Sequence, residues 1–129
     1  MSLDFPDELR YTDSHEYIRL DGDIATVGIT TYAIEELGDI VFFETIEDGS
    51  EVESQDSVGT IESVKAVSDI YAPVAATIIE GNESAVDAPE LIQEDPYGEG
   101  WLVKLKLSDP DALASNTLSA SEYKSKIGQ

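Results

Sequence analysis

The chain has 129 residues, 28 of them acidic against 7 basic, for a formal charge of −21, with one His and no Cys. That charge repels phosphate backbones and anionic lipid, making nucleic acid and membrane surfaces poor partners, and no run of about eighteen apolar residues is available to span a bilayer. Without cysteine there is no disulfide framework, thiolate metal site or cysteine nucleophile, and His15 has no second histidine for a metal pair.

The length suits one domain, residues 1–129. Its acidic start, Met1-Ser2-Leu3-Asp4-Phe5-Pro6-Asp7-Glu8, fits neither a secretory signal nor a basic transit peptide, so a cytosolic protein is expected. In chain order, a strand is predicted over 24–29 after the turn-like Asp21-Gly22-Asp23. Two helical turns follow over 31–37, capped by Thr30 or Thr31 and ended by Gly38. Residues 40–46, β-branched and aromatic, form a strand that stops at Asp48-Gly49. Further strands are predicted over 58–64, 67–71, 77–80 and 101–107. In the last, Trp101, Val103, Leu105 and Leu107 alternate with Leu102, Lys104 and Lys106, as in a half-buried strand. A short helix is read over 89–93, another from Asp109-Pro110-Asp111 with Pro at the first helical position, and a last one to Ile127 behind the capping box Ser119-Ala120-Ser121-Glu122. Several short strands with few helices argue a mainly β sandwich or barrel.

One position breaks the charge pattern. Lys65 is the only cationic side chain between Arg19 and Lys104, an interval holding twenty acidic residues. It sits between two β-prone segments, 58–64 and 67–71. If they pair, Val64, Lys65 and Ala66 form the connection and the amine points into water. The connection lacks the Asn-Gly or Asp-Gly signature of tight hairpins, and on composition alone an ordinary exposed turn lysine is by far the commoner case.

The string Val58-Gly59-Thr60-Ile61-Glu62-Ser63-Val64-Lys65-Ala66-Val67-Ser68-Asp69-Ile70-Tyr71-Ala72-Pro73 resembles the lipoyl-lysine hairpin of the glycine cleavage system H-protein family. Ser14-His15-Glu16-Tyr17 is similar to that family's Ser-His-Glu-Trp, with Tyr for Trp. Val27-Gly28-Ile29-Thr30, Leu37-Gly38-Asp39-Ile40-Val41-Phe42, Pro96-Tyr97-Gly98-Glu99-Gly100-Trp101 and Leu118-Ser119-Ala120-Ser121-Glu122-Tyr123 follow it in order, giving a core of about residues 9–125. The resemblance implies a flattened β barrel-sandwich hybrid, lipoyl-domain-like, with a few short helices including one at the C-terminus. Biotinyl carriers share that architecture but usually set their lysine between methionines; here the neighbours are Val64 and Ala66. One departure is Ala75-Ala76-Thr77 in place of a Ser/Thr-Gly-Glu turn, which would strain Ala76 if a positive φ were needed there.

The resemblance further implies a carrier rather than an enzyme, expected as a monomer, with lipoate joined by an amide to Lys65. Counting about eleven bonds at roughly 1.25 Å gives an arm with a reach on the order of 14 Å. A lipoylating enzyme would attach it. The arm would then take an aminomethyl group from the pyridoxal-phosphate glycine decarboxylase (P protein) and deliver it to the tetrahydrofolate-dependent aminomethyltransferase (T protein). The flavin- and NAD-dependent dihydrolipoyl dehydrogenase (L protein) would re-oxidise it. Cofactors and partners carry this chemistry. In the family the loaded arm folds back on the body; the matched positions are Ser14, Glu16 and Asp69, and Glu16 or Asp69 is expected to hold the cargo's ammonium. Glu62 and Asp69 flank the tip and are candidates for recognition by the lipoylating enzyme. His15 is expected to pack or hydrogen-bond within the body. The location implied is cytoplasmic for a bacterial-type protein, or the mitochondrial matrix for an organellar one lacking its leader.

Two other classes share part of these features. An acidic adaptor or binding module without a cofactor fits the charge, but Asp21-Gly22-Asp23 is too short for a Ca²⁺ loop. A hydrolase would need more than Ser14-His15-Glu16, because adjacent residues do not form a triad and no nucleophile elbow is present.

Overall fold

The computed structural model describes residues 5–128; the reading of Met1 to Asp4 lies outside them. The described residues form nine strands: β1 Arg10–Tyr11, β2 Glu16–Asp21, β3 Ile24–Ile29, β4 Ile40–Thr45, β5 Glu51–Val52, β6 Ser57–Ser63, β7 Val67–Tyr71, β8 Ala76–Gly81 and β9 Val103–Leu107. The helices are α1 Thr31–Leu37, α2 Glu83–Asp87, α3 Glu90–Glu94, α4 Ala112–Asn116 and α5 Ala120–Ile127. All pairings are antiparallel. They build a six-stranded sheet in the order β1-β2-β3-β9-β8-β5 and a three-stranded sheet in the order β4-β6-β7. The fold is the expected mainly β sandwich, its two sheets unclosed. No helix among the described residues is long and apolar enough to cross a membrane.

Alternation along the strands sends one set of side chains between the sheets. Ile18, Val27, Phe43, Ile61, Ile78 and Leu105 are buried there in one core. A second cluster of Phe5, Leu9, Tyr11, Tyr17, Ala120 and Tyr123 packs α5 onto β1 and β2. Strand β2 therefore buries neighbours on both faces, Tyr17 toward α5 and Ile18 toward the sandwich. That is why it shows no period-2 pattern and was not predicted.

Local signals at the helix ends are realised. Thr30 Oγ1 accepts from Ala33 N at 3.2 Å and opens α1, while Gly38 closes it at φ 79°. In α5 both halves of the capping box form, with Ser119 N donating to Glu122 Oε1 at 2.9 Å and Glu122 N to Ser119 Oγ at 3.2 Å. The hairpin β2–β3 turns at Gly22, whose φ of 66° suits the first central position of a two-residue loop. Two expectations are corrected. Helix α4 starts at Ala112, so Pro110 precedes the N-cap Asp111 rather than opening the helix. Ala76 lies inside β8 opposite Val52 and Leu107, and positive φ among described non-glycine residues occurs only at His15 and Gln55. Ala76 is thus unstrained.

Candidate functional site: a hairpin lysine beside an apolar groove

Strands β6 and β7 form the expected hairpin, with Glu62 opposite Val67 and Ser63 N donating to Ala66 O at 2.8 Å. The turn needs neither Gly nor Asn because the Ser63 hydroxyl organises it. Its oxygen accepts from Lys65 N and Ala66 N, both at 3.1 Å, standing in for the carbonyl of a tight turn. Val64 N donates to Asp39 O at 3.0 Å, tying the tip to the loop after α1. Lys65 is exposed, and the one ion pair among the described residues is Lys126 with Asp13, so the Lys65 amine is unpaired. Its alkyl stem passes over Gly38, where an added Cβ would lie 3.6 Å from Lys65 Cε. A rigid backbone thus presents a free amine.

Beside the hairpin lies a groove of about 310 Å³. Helix α1 supplies one wall with Tyr32, Ala33, Glu36 and Leu37. Ile29 lines it from β3, and Ile61, Ser68, Asp69 and Ile70 come from the hairpin. Ser14 and His15 close its polar end. Among the described residues no group of three or more His, Asp or Glu is placed to hold a metal.

The polar end rests on a buried carboxylate. Ser14 Oγ donates to Glu16 Oε1 at 2.7 Å, the Thr12 hydroxyl donates to the same oxygen, and Tyr71 N donates to Oε2 at 3.3 Å. Glu16 is only 1% exposed, and burial pushes its carboxyl above the ordinary carboxylate range despite those three donors. It sits one layer behind Ser14 and does not line the groove. Asp69 borders the groove from edge strand β7, and its Oδ1 accepts from Thr60 Oγ1 at 3.3 Å. Glu62 is not brought to the groove. It alternates with Ile61 and faces the other side of the hairpin, between Phe42 and Val67.

His15 takes a left-handed φ of 70°, uncommon outside Gly, Asn, Asp and His. Its Nδ1 is 2.8 Å from Tyr123 Oη, which lies 2.9 Å from Thr30 Oγ1, the α1 cap. Its ring is 4.9 Å from that of Tyr32, and burial lowers its pKa below 6.5. The expected packed and hydrogen-bonded histidine is therefore also groove lining. Sequence reasoning missed the α1 wall, Ser63, Ser68 and Tyr123. Only the Thr30 cap hinted at them, by placing a helix ahead of the lysine hairpin.

An apolar channel with a polar end matches a flexible chain that is aliphatic along its length and polar at its tip. With an exposed lysine on the adjoining hairpin turn of a two-sheet sandwich, the fold and site together are those of a carrier domain. A family described as Glycine cleavage H-protein matches residues 9–129. The chain is 58% identical to the glycine cleavage system H protein of Cyanothece sp. over 98% of both chains. It is 59% identical to that of Gloeothece citriformis over 98% of this chain and 97% of the relative. The crystal structure of a glycine cleavage system H protein from Mycobacterium marinum superposes with TM-score 0.88 at 40% identity, covering 97% of this chain and all of that one. The chain belongs to the glycine cleavage H-protein family, the lipoyl carriers of the glycine cleavage system.

Proposed function

We propose that Lys65 Nζ holds lipoate through an amide, and that residues 1–129 act as one lipoyl-bearing domain with a core from about residue 9 to about residue 125. On this reading the arm visits the glycine decarboxylase, the aminomethyltransferase and the dihydrolipoyl dehydrogenase after a lipoylating enzyme has attached it. The chain itself catalyses none of those steps. It works as a monomer in the bacterial cytoplasm, where its charge of −21 disfavours self-association and favours basic partner surfaces.

Bound lipoate would supply a disulfide that takes up the one-carbon cargo and returns as a dithiol. The chain's own residues have three tasks. Ser63 and Asp39 hold the tip so that the Lys65 stem leaves along Gly38 toward the groove mouth. Ile29, Ala33, Leu37, Ile61 and Ile70 cover an aliphatic arm and exclude water. Ser14, backed by Glu16, and Asp69 receive a cationic end, the charge-assisted contact giving it a fixed resting place. Glu62 takes part outside the groove, in recognition by the lipoylating enzyme.

The unpaired Lys65 amine at a serine-braced turn carries this reading. Intact mass spectrometry of the chain produced in lipoate-competent cells should show one lipoyl increment, absent from a folded Lys65→Arg variant. Only unmodified wild-type protein from such cells would refute it.

A further inference from the structure

The face of the lysine hairpin turned away from the groove has its own organisation. Most strand residues of the small sheet alternate in and out, but a β-bulge interrupts β4 between Ile40 and Phe42. Ile40 and Phe43 both point into the core, at 4% and 0% exposure, while the two residues between them, Val41 and Phe42, are both exposed, at 56% and 41%. A regular strand would expose one of the two. Bulges of this kind re-aim side chains and recur near functional sites.

The register sets these side chains in rows. Phe42 lies opposite Glu62 and Glu62 opposite Val67, giving one row across all three strands. Val67 is 64% exposed, and Val64, in the turn beyond that row, is 66% exposed. Two residues further from the tip, Glu44 lies opposite Thr60 and Thr60 opposite Asp69. Rows two residues apart on one face are separated by roughly 6.6 Å. Beside the lysine the surface thus sets apolar side chains around one carboxylate, Glu62, and beyond it is acidic, with Glu44 and the edge residue Asp69, which also borders the groove. Among the described residues the remaining large exposed apolar side chains, Leu20, Ile79 and Val86, lie on the other sheet or on α2.

We propose that this face is the docking surface for the enzyme that acylates Lys65, and that the partner's cleft has an apolar lip with Lys or Arg side chains outside it. The proposal rests on the lipoyl-lysine reading. Reach selects the occupant. Once the arm is present, its reach on the order of 14 Å lets a partner's reactive centre lie well away from the sheet. Before that, only a bare side chain of roughly 6 Å separates the backbone from the reacting nitrogen. The acylating enzyme must bring its cleft mouth onto the strands next to the tip, and it has no arm to recognise. In the step itself the neutral Nζ attacks the carbonyl carbon of a lipoyl adenylate. The C–N bond forms, the bond from acyl carbon to phosphate oxygen breaks with its electron pair leaving on AMP, and one amine proton passes to solvent.

The test uses unmodified full-length chain with a purified lipoate–protein ligase, lipoate and ATP, following lipoylation by intact mass against chain concentration. Phe42→Thr and Val67→Thr, both exposed and checked for unchanged thermal midpoints, should each raise KM for the chain about tenfold with kcat within about twofold, as for loss of an interface anchor. Leu20→Thr and Ile79→Thr, each as exposed as Phe42 at 41%, should leave KM unchanged. Glu44→Lys should raise KM and flatten its dependence on salt. Wild-type KM in both Phe42→Thr and Val67→Thr, or an equal rise in the two controls, overturns the proposal while leaving Lys65 as the attachment site. Wild-type chain that takes up no lipoate at Lys65 overturns the carrier reading and this inference with it.

Discussion

Replacing Tyr123 by Phe tests whether α5 holds the groove in shape. The ring packing survives, since Phe keeps the stacked contact with Tyr11 at 4.9 Å and the edge contact with Phe5 at 5.5 Å. What goes is one hydroxyl, lying 2.8 Å from His15 Nδ1 and 2.9 Å from Thr30 Oγ1. Thr30 is 0% exposed, so its hydroxyl loses a partner, whichever of the two oxygens donates, that water does not replace. His15 is only part-buried and recovers some of its loss from solvent. A buried hydroxyl stripped of a partner together with a lost partly buried bond costs about 2 kcal/mol. With an unfolding entropy of about 0.27 kcal/mol/K for a chain of 129 residues, that lowers the melting midpoint by about 7 °C. Calorimetry at pH 7.5 measures it, and a midpoint within about 1 °C of wild type would refute the bridge. His15 gives a second, independent readout. Its folded pKa is depressed by burial, so its share of stability is complete above the unfolded value of 6.5 and is lost as pH falls through the folded one. His15→Asn, which tolerates the same left-handed backbone, should remove that slope in denaturant midpoints taken between pH 7.5 and 5.

Asp69→Asn should fold normally and shorten the lifetime of a loaded arm several-fold, followed by loss of the cargo's mass; an unchanged hydrolysis rate would take Asp69 out of the shelter. Gly28→Ala should cost more than about 3 kcal/mol, because the new Cβ would stand 2.5 Å from Tyr17 Cε2 in a fully buried ring whose hydroxyl is tied to Pro96 O. A melting midpoint close to wild type would mean that ring yields. Glu16 titrates in the opposite sense to His15: its folded pKa is raised, so the folded state keeps a proton that the unfolded chain releases. Its contribution therefore falls as pH rises from about the ordinary 4.5 through the raised value. Subtracting the urea profile of Glu16→Gln from that of wild type should reveal this slope, and a flat difference between pH 4 and 8 would count against a raised pKa.

Elements with local signatures were legible in the sequence. Strands β3 and β7 end at the predicted residues, and α1 and α5 were set by Thr30, Gly38, Ser119 and Glu122 acting within one turn of each terminus. Strands β1 and β5 are two-residue edges that exist only through partners such as Ile18 and Thr77, so nothing local announces them. Helix α2 has no side-chain cap and gave no start signal. At the site, the isolation of Lys65 was visible in the charge pattern, whereas the groove was not. Its lining comes from residues 14–15, Ile29 of β3, α1 and the hairpin, which meet only in three dimensions. The resemblance marked Glu16 as a candidate to hold the cargo's ammonium, but nothing in the sequence announced that it would be buried. Only the tertiary placement of Thr12, Ser14 and the Tyr71 amide encloses it.

One hairpin is asked to meet two demands, and strand geometry divides them. Ile61, Ser68 and Ile70 turn toward the groove, while Thr60, Glu62 and Val67 turn away from it. Shelter for an arm and the proposed contact with an acylating enzyme thus fall on opposite faces except at Asp69, which pairs with Thr60 on the edge strand and borders both. A slip of one residue between β6 and β7 would exchange those faces, exposing Ile61 and burying Glu62. A Gly-rich tip would give the lysine mobility but would leave that register weakly held. The Ser63 hydroxyl, bonded to both following amides, and the Val64 contact with Asp39 fix the backbone at the tip instead. Freedom is thereby confined to the Lys65 side chain, where an arm needs it.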